Sequence, residues 1–261
     1  MAIASESQPD VLLYDHPASI CSQMARLVLE EKGVSYRRRT IDIMETAEQF
    51  EPWYTALNPK AVVPTLAVGD EIVTDTINIV HRVDSGFEGP SLTPAGPAGA
   101  ATMDATLRDI MGLHYGVLLY SRRLDPDGTA PTAIARGRFL REQLERHPER
   151  AELIKARIAG NERFRTILAD PAEIERHIGE ARALTDRLNV ALEGGDFVCG
   201  DRYTLADTFA TAALARFRLH GFDTWWSDGR NAGVAAYYAR VKARPSWLAA
   251  GVLDEGSERD L

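Results

Sequence analysis

Short apolar runs and helical periodicities alternate along the first third of the chain. Residues 11–14 form an apolar run, which predicts a short buried strand. From Ile20 onward the apolar positions follow helical spacing, and Gly33 marks the end of that helix. Residues 36–43 alternate between two faces, which predicts a second strand. This order implies two parallel strands joined by a crossover helix.

The following segment predicts a helix, a hairpin and another helix. A polar helix is expected over residues 45–55. Residues 65–68 and 71–73 flank a Gly-Asp turn, which is typical of a β-hairpin, and residues 76–83 follow helical spacing. Together these elements have the order of a thioredoxin-like α/β domain, which we assign to residues 1–86.

The rest of the chain is predicted to be helical. Residues 87–99 are rich in Gly, Pro and Ser and predict a linker. An all-α C-terminal domain is expected over residues 100–261, and the charged residues within 136–187 are typical of solvated helix faces. Its helices are predicted near residues 100–120, 132–146, 150–168, 172–193, 204–219, 231–243 and after Pro245.

Composition narrows the classes of function. The 261 residues are 45% hydrophobic and 26% charged, and the net charge of −8 argues against binding to nucleic acid or to a membrane surface. No apolar run approaches the ~20 residues of a membrane helix, and the first residues do not have the pattern of a signal peptide. The only cysteines, Cys21 and Cys199, fit a reducing compartment, so we expect a cytoplasmic protein. The histidines lack the spacing of metal ligands, so no metal is expected.

Cys21 and Ser19 are the candidate catalytic residues. Unpaired N–H groups and a partial positive charge at the start of a helix can lower the pKa of a thiol there, which then attacks as a thiolate. The hydroxyl of Ser19 could donate to a second sulfur, and the site follows the first parallel strand, where α/β sheets bind ligands. The alternative is structural, with Cys21 a small buried residue and Ser19 or Ser22 a helix N-cap.

Val63-Pro64 predicts an edge that binds a peptide. A proline directly before a strand of a thioredoxin-like domain is the usual place for a cis peptide bond. Such a bond would turn the N–H and C=O of Val63 outward, where they can pair with an extended peptide. An ordinary trans proline at the start of a strand is the alternative.

Asp75 and Thr76 predict a site for an α-amino acid group. Thr76 is expected to cap the following helix and to present its hydroxyl and N–H to a carboxylate. Asp75 could receive an ammonium group, and the γ-glutamyl end of glutathione carries both. Lys60 could contact the other carboxylate of that tripeptide. Plain helix capping, with a solvated lysine, is the alternative.

Thr204 and Asp207 have the spacing of a capping box, in which side chains three residues apart bond to backbone N–H groups. Its expected role is structural. Cys199, in the run before it, is interpreted as a packing residue.

Taken in order, these motifs resemble those of the glutathione S-transferase superfamily. The resemblance covers almost the whole chain, and its motifs lie at residues 19–22, 58–65, 75–76 and 204–207. Within the superfamily the chain is most similar to the tetrachlorohydroquinone reductive dehalogenases, which are related to the zeta class and share its Ser-x-Cys pattern. The pair at 75–76 is Asp-Thr where Glu-Ser is usual, and it keeps the carboxylate and the hydroxyl.

The resemblance implies glutathione as cosubstrate, a small aromatic electrophile such as a halogenated hydroquinone as substrate, and a homodimer. Ser19 would stabilise the glutathione thiolate, and Cys21 would attack the sulfur of the glutathionyl adduct before a second glutathione releases it. Binding of glutathione is expected to use Lys60, Val63, Pro64, Asp75 and Thr76, and candidates for the aromatic pocket are His114, Tyr115 and Tyr120.

Two other functions stay open on the sequence. A glutathione-dependent isomerase, or an ether-cleaving transferase in aromatic degradation, would consume no net glutathione or release a stable conjugate. A ligand-binding protein without enzymatic activity, built on the same fold, would have no affinity for glutathione at millimolar concentration.

Overall fold

The computed structural model describes residues 10–254, and their contacts divide them into two compact units. The first unit contains residues 10–91 together with 249–251, a short segment close to the C-terminal end of the chain. The second contains residues 92–248 and 252–254.

The first unit is an α/β domain with four strands and three helices. The residues between β2 and α2 include a 3₁₀ turn at Glu48–Phe50. In chain order the elements are β1 (Val11–Asp15), α1 (Ile20–Lys32), β2 (Arg37–Thr40), α2 (Pro52–Leu57), β3 (Thr65–Val68), β4 (Glu71–Thr74) and α3 (Thr76–Gly86).

The four strands form one mixed sheet in the order β2-β1-β3-β4. β1 pairs with β2 in parallel and with β3 antiparallel, and the β3–β4 hairpin forms the other edge. This is the thioredoxin-like arrangement predicted from the sequence. β3 is buried along its whole length, whereas β2 is exposed and carries three arginines, a common protection of a sheet edge.

Helix α1 shows how the apolar pattern becomes structure. Gly33 ends the helix in the left-handed conformation with φ of 73°, as expected from the residue type. The apolar face of α1 packs in the core of the α/β unit, where Leu27 and Val28 are buried with Leu13 and Leu66 of the sheet.

The second unit is helical throughout. Helix α9 (Leu205–Leu219) is buried along almost its whole length and forms the centre of this unit. The other helices are α4 (Pro97–Gly112), α5 (Tyr115–Tyr120), α6 (Pro131–Arg146), α7 (Ala151–Leu168), α8 (Pro171–Ala191), α10 (Thr224–Ser227), α11 (Ala232–Lys242) and α12 (Pro245–Ala249).

The predicted helix over residues 45–55 is wrong in its first half. The Asp42 carboxylate accepts the backbone N–H groups of Met44, Glu45 and Thr46, which folds the chain into a turn. A helix then begins only at Pro52, whose fixed φ suits the first helical position.

The single helix expected over residues 100–120 is two helices in the structure. The chain breaks at Leu113, and the ring Nδ1 of His114 accepts the N–H of Val117 to begin α5. Helix α4 starts at Pro97, so the last three residues of the expected linker are helical. The short helix α10 was not expected.

No helix within residues 10–254 has the length and apolar character needed to cross a membrane.

Candidate active site

The sheet register brings three predicted segments to one end of the sheet. Tyr14 of β1 pairs with Thr65 of β3, and Thr65 pairs with Thr74 of β4. The loop after β1, the residues before β3 and the residues after β4 therefore meet at the same end of the sheet. Ligands bind at this end in α/β folds, beyond the carboxyl end of a parallel strand.

Ser19 is the N-cap of α1. Its backbone is extended, with φ of −76° and ψ of 121°, and its Oγ accepts the N–H of Ser22 at 3.2 Å. A hydroxyl that accepts one hydrogen bond still has its own proton to donate. The capping role and a role toward a ligand sulfur are therefore compatible.

Cys21 is the second residue of α1 and is partly exposed. It lies in the first turn, where the N–H groups of the helix have no intrahelical acceptor and favour a negative charge. The alternative of Cys21 as a fully buried packing residue does not fit this exposure.

His16 organises the loop between β1 and Cys21, a role that the sequence does not predict beyond a turn. Its ring Nδ1 accepts the backbone N–H of Ala18 at 3.2 Å, and the backbone N–H of His16 donates to the Oγ of Ser22 at 3.3 Å. The carbonyl of His16 accepts the N–H of Ser19. Burial lowers the pKa of His16, so the ring is a neutral acceptor at neutral pH.

Val63-Pro64 is a cis peptide bond. Within residues 10–254 no hydrogen bond uses the N–H or the C=O of Val63. Both groups can therefore pair with the backbone of an extended peptide.

A chain of three side chains supports the segment before Pro64. Asn58 donates to the Oγ1 of Thr65 at 3.0 Å, and Thr65 lies 3.0 Å from the hydroxyl of Tyr54. Tyr54 donates to the carbonyl of Val62 at 2.7 Å, and Asn58 donates to the same carbonyl at 2.9 Å. Burial raises the pKa of Tyr54 to about 12, which keeps its hydroxyl a donor. Sequence reasoning missed Tyr54, because its position in a short helix gave no sign of this contact.

Asp75, and not Thr76, caps helix α3, which corrects the expectation. The Oδ1 of Asp75 accepts the N–H of Ile77 at 3.2 Å, and the residue has φ of 75°. Thr76 is already the first helical residue and is buried. The reason is that the short Asp75 side chain reaches the second N–H of the helix from its position just outside it.

Lys60 and Asp75 lie together at the same end of the sheet. The Nζ of Lys60 is 3.6 Å from the Oδ2 of Asp75, and both side chains are substantially exposed. An exposed ion pair of this kind contributes about 0–1 kcal/mol to stability, so a charged ligand can replace it at little cost.

This donor set fits glutathione. Val63 offers a backbone edge to a tripeptide, while Asp75 and Lys60 offer opposite charges to its ammonium and carboxylate groups. Ser19 and Cys21 lie between the end of β1 and the first turn of α1, beyond the same end of the sheet.

The capping box predicted in the helical unit is present, and the Asp207 carboxylate is occupied by hydrogen bonds within the protein. Asp207 accepts the N–H of Thr204 at 2.8 Å, the N–H of Val198 at 2.9 Å and the hydroxyl of Tyr237 at 3.0 Å. Burial raises the pKa of Asp207 to about 6 and that of the Cys199 thiol to about 11. Cys199 is therefore protonated at neutral pH.

The three aromatic candidates of the helical unit make packing contacts within that unit. His114 stacks on Phe164 with ring centroids 5.1 Å apart, and Tyr120 meets the edge of the same ring at 5.4 Å. Tyr115 stacks on Phe217 and donates to the carbonyl of Ile110.

In the described part of the chain, His, Cys, Asp and Glu side chains form no group of three or more that could hold a metal ion.

Comparison with known families places both units. The family model for the glutathione S-transferase N-terminal domain matches residues 18–85, and that for the C-terminal domain matches residues 171–240. The first match contains Ser19, Cys21, Pro64 and Asp75.

Individual proteins extend this similarity over nearly the full chain. Tetrachloro-p-hydroquinone reductive dehalogenase of Sphingobium chlorophenolicum is 35% identical, over 94% of this chain and 97% of its own. Glutathione S-transferase TCHQD of Arabidopsis thaliana is 26% identical, over 90% of this chain and 87% of its own. The crystal structure of the β-etherase LigF from Sphingobium sp. strain SYK-6 shares the fold, with a TM-score of 0.71 and 21% identity over 92% of this chain and 98% of its own. The chain is therefore an enzyme of the glutathione S-transferase family, with glutathione as its cosubstrate.

Proposed function

We propose that this enzyme removes halogen from an aromatic hydroquinone, or a related electrophile, by reduction with glutathione. The observation that carries the proposal is the position of Cys21, partly exposed in the first turn of α1 and two residues after the Ser19 N-cap. A simple conjugating enzyme needs one sulfur, the thiol of glutathione. A second thiol at this position supplies the additional electron pair that a reduction requires.

Each of the site residues at this end of the sheet has a proposed role. Ser19 donates a hydrogen bond from its hydroxyl to the sulfur of glutathione and so favours the thiolate. The backbone of Val63, next to the cis Pro64, pairs with the peptide backbone of glutathione. Asp75 receives the ammonium of the γ-glutamyl group and Lys60 a carboxylate.

Thr76 does not cap α3, but it keeps the expected role of its N–H toward a carboxylate. It is the first residue of α3, so its N–H has no intrahelical acceptor and can bind the γ-glutamyl carboxylate.

The proposed reaction has three balanced steps. The thiolate of glutathione forms a carbon–sulfur bond with the activated ring, and the carbon–halogen bond breaks with release of halide. The thiolate of Cys21 then attacks the glutathionyl sulfur and forms a Cys21–glutathione disulfide. The carbon–sulfur bond breaks, its electron pair stays on the ring carbon, and that carbon takes a proton. A second glutathione thiolate attacks this disulfide, releasing Cys21 and oxidised glutathione.

The names of the relatives support the same substrate class. The relative that is 35% identical is named for reductive dehalogenation of tetrachloro-p-hydroquinone, and its similarity spans both units of this chain.

A cytoplasmic location and a homodimeric state complete the proposal. A partly exposed thiol that must be free in each cycle works in a reducing compartment, because an oxidising one would trap it as a disulfide. The homodimer rests on the family resemblance. Sedimentation of the purified protein would show a mass of about two chains, where a single-chain mass would contradict it.

The test is the intact mass of the protein during the reaction. The protein is incubated with glutathione and a panel of halogenated hydroquinones and quinones, and then with excess fresh glutathione. We expect an adduct of one glutathione on Cys21 that forms only with substrate and disappears on adding thiol. Peptide mapping assigns the modified cysteine, with Cys199 as the internal comparison.

Other results would separate the remaining functions. A stable aromatic conjugate without a protein adduct would indicate an ether-cleaving or conjugating transferase. An isomerised product without consumption of glutathione would indicate an isomerase. Absence of turnover together with absence of glutathione binding would overturn the enzymatic proposal as a whole.

A further inference from the structure

A fully buried ion pair lies next to the loop that leads from β1 to Ser19, the N-cap of the helix that contains Cys21. Asp15, the last residue of β1, is 0% exposed, and Arg26 on α1 is 1% exposed. The Arg26 Nη1 bonds to the Oδ2 of Asp15. Arg38 on β2 adds bonds to the same carboxylate at 2.8 and 3.3 Å. The carboxylate thus links the first two strands and the helix that starts the site.

The rest of the Arg26 guanidinium is used on backbone carbonyls from two distant parts of the chain. Nη2 donates to the carbonyl of Pro17 at 3.3 Å, within the loop before Ser19. Nε donates to the carbonyl of Ala250 at 2.5 Å, and Nη2 lies 3.5 Å from that of Gly251. These contacts lie within the α/β unit, to which residues 249–251 belong although the segments on both sides of them do not.

A buried ion pair is poor evidence for stability by itself, because removing two charges from water costs as much as their attraction returns. Its value lies in geometry. A planar guanidinium presents five donors in fixed directions, so it sets the distances between every group that it binds. Here these groups are the end of β1, the Pro17 carbonyl and the segment at Ala250.

We propose that Arg26 is a positioning residue for Ser19 and Cys21, and that residues 249–251 form part of the same support. The loop from Asp15 to Ser19 is short, and Arg26 holds it at Asp15 and at Pro17. Gln23 donates to the Pro17 carbonyl as well, at 3.4 Å, which fixes the loop to α1 from a second position. The loop thereby keeps the N-cap and the first helical turn in one arrangement.

The C-terminal segment holds the other side of Arg26. If the carbonyls of Ala250 and Gly251 move, two donors of a buried guanidinium lose their acceptors, which is costly, and Arg26 must shift toward water. The reactivity of Cys21 is therefore sensitive to a segment about 230 residues further along the chain, since sequence distance does not limit contacts in a folded domain.

Two substitutions in the 261-residue chain test this inference, which rests on the proposed function because that function uses Ser19 and Cys21. Arg26→Lys keeps the charge and loses the planar fork. Gly251→Ala leaves α1 untouched and strains the C-terminal segment, because Gly251 has φ of 58° while an added Cβ meets no atom within 4 Å. Arg37→Lys is the matched control, since Arg37 is an exposed arginine that pairs with Asp10 in the same unit.

The readout is the rate of alkylation of Cys21 by iodoacetamide as a function of pH, without glutathione or substrate, in a Cys199→Ser background. We expect Arg26→Lys to slow alkylation at pH 7.5 by at least about tenfold, because the thiolate is the species that reacts and a thiol moved away from the helix N-terminus ionises less readily. Gly251→Ala is expected to slow it by about threefold, since it displaces Arg26 only indirectly. Arg37→Lys should match the parent, and the glutathione affinity of all variants should stay within about twofold, because Val63 and Asp75 bind it from other elements.

The outcomes separate the inference from the proposed function. Alkylation of Arg26→Lys at the parent rate and with the parent pH profile, even with a lower melting temperature, would show that Arg26 is merely structural and would overturn the inference. If Arg26→Lys does not fold, parent-like alkylation of Gly251→Ala overturns it instead. Failure of the proposed function appears as parent protein that does not turn over halogenated hydroquinones, a result that leaves the alkylation data intact.

Discussion

The hydroxyl oxygen of Ser19 accepts the N–H of Ser22 at 3.2 Å, one turn into the helix that contains Cys21. This hydrogen bond uses one lone pair of the hydroxyl and points its oxygen along the start of the helix. The proton of the hydroxyl remains for a ligand, and Cys21 lies two residues away on the same turn. One short segment thus combines a helix cap with a hydroxyl proton and a thiol.

Replacing Ser19 by Ala is expected to have two separate effects. Loss of the cap lowers the free energy of unfolding by about 1 kcal/mol. Loss of the hydroxyl donor lowers kcat with glutathione by about tenfold or more, since a donor aimed at a developing negative charge is worth at least this much. Ser19→Thr, which keeps the hydroxyl, is the control. Equal kcat values for the Ala and Thr variants would rule out a catalytic role of the hydroxyl.

Replacing Cys21 by Ser is expected to stop the cycle after the first bond-forming step. Glutathione binding persists, while release of the reduced aromatic product over many turnovers falls by at least about 100-fold, because the attacking thiolate is lost. The aromatic product should then accumulate as its glutathione conjugate, which chromatography with mass detection identifies. Cys199→Ser should behave like the parent. Undiminished multiple turnover of Cys21→Ser on every good substrate would remove Cys21 from the mechanism.

Replacing Tyr54 by Phe should weaken glutathione binding through the backbone next to Val63. The change removes the donor to the Val62 carbonyl and leaves the Thr65 hydroxyl with one partner fewer. We expect KM for glutathione to rise about fivefold, equivalent to about 1 kcal/mol. The matched control is Tyr36→Phe, which removes a hydrogen bond to Glu30 in the same unit. An unchanged KM would show that this network does not position the peptide-binding edge.

His220 makes the stability of the enzyme depend on pH. The residue is 8% exposed at the end of α9, and burial, together with Arg216 and other arginines, lowers its pKa to about 3. The unfolded chain, with a histidine pKa of about 6.5, therefore binds more protons between these two values. The stabilisation is complete above about pH 6.5 and decreases as pH falls toward 3, by up to about 1.4 kcal/mol per pH unit.

Urea denaturation at pH 7.5 and at pH 5 checks this dependence. The parent should lose about 2 kcal/mol more than His220→Gln between the two values, since glutamine does not titrate. An identical loss in both proteins would mean that His220 is not the group responsible.

Periodicity and residue type predicted the elements of the α/β unit well. The strand at Val11, the helix from Ile20 to Gly33 and the Thr65–Val68 hairpin strand follow from apolar spacing and local turn residues. The same reasoning failed after Asp42, because three side chain-to-backbone hydrogen bonds outweighed a weak helical pattern. It failed again at His114, whose ring acts as a helix cap that propensity does not foresee.

Some residues of the candidate site could be predicted from the sequence, and others could not. Ser19, Cys21, Pro64 and Asp75 could be named from the sequence, since each belongs to a short motif with its own chemistry. Tyr54 could not, because its role depends on a carbonyl eight residues away in a different element.

By itself the sequence determined which short segments carry thiol, hydroxyl and carboxylate groups, and which segments are strands and helices. Those properties depend on neighbours within a few positions along the chain. Only the tertiary structure decided that the three segments meet at one end of the sheet, through the pairing of Tyr14, Thr65 and Thr74. It also decided that Arg26 binds Ala250, because burial and long-range hydrogen bonds arise from the packing of the whole domain and leave no local pattern.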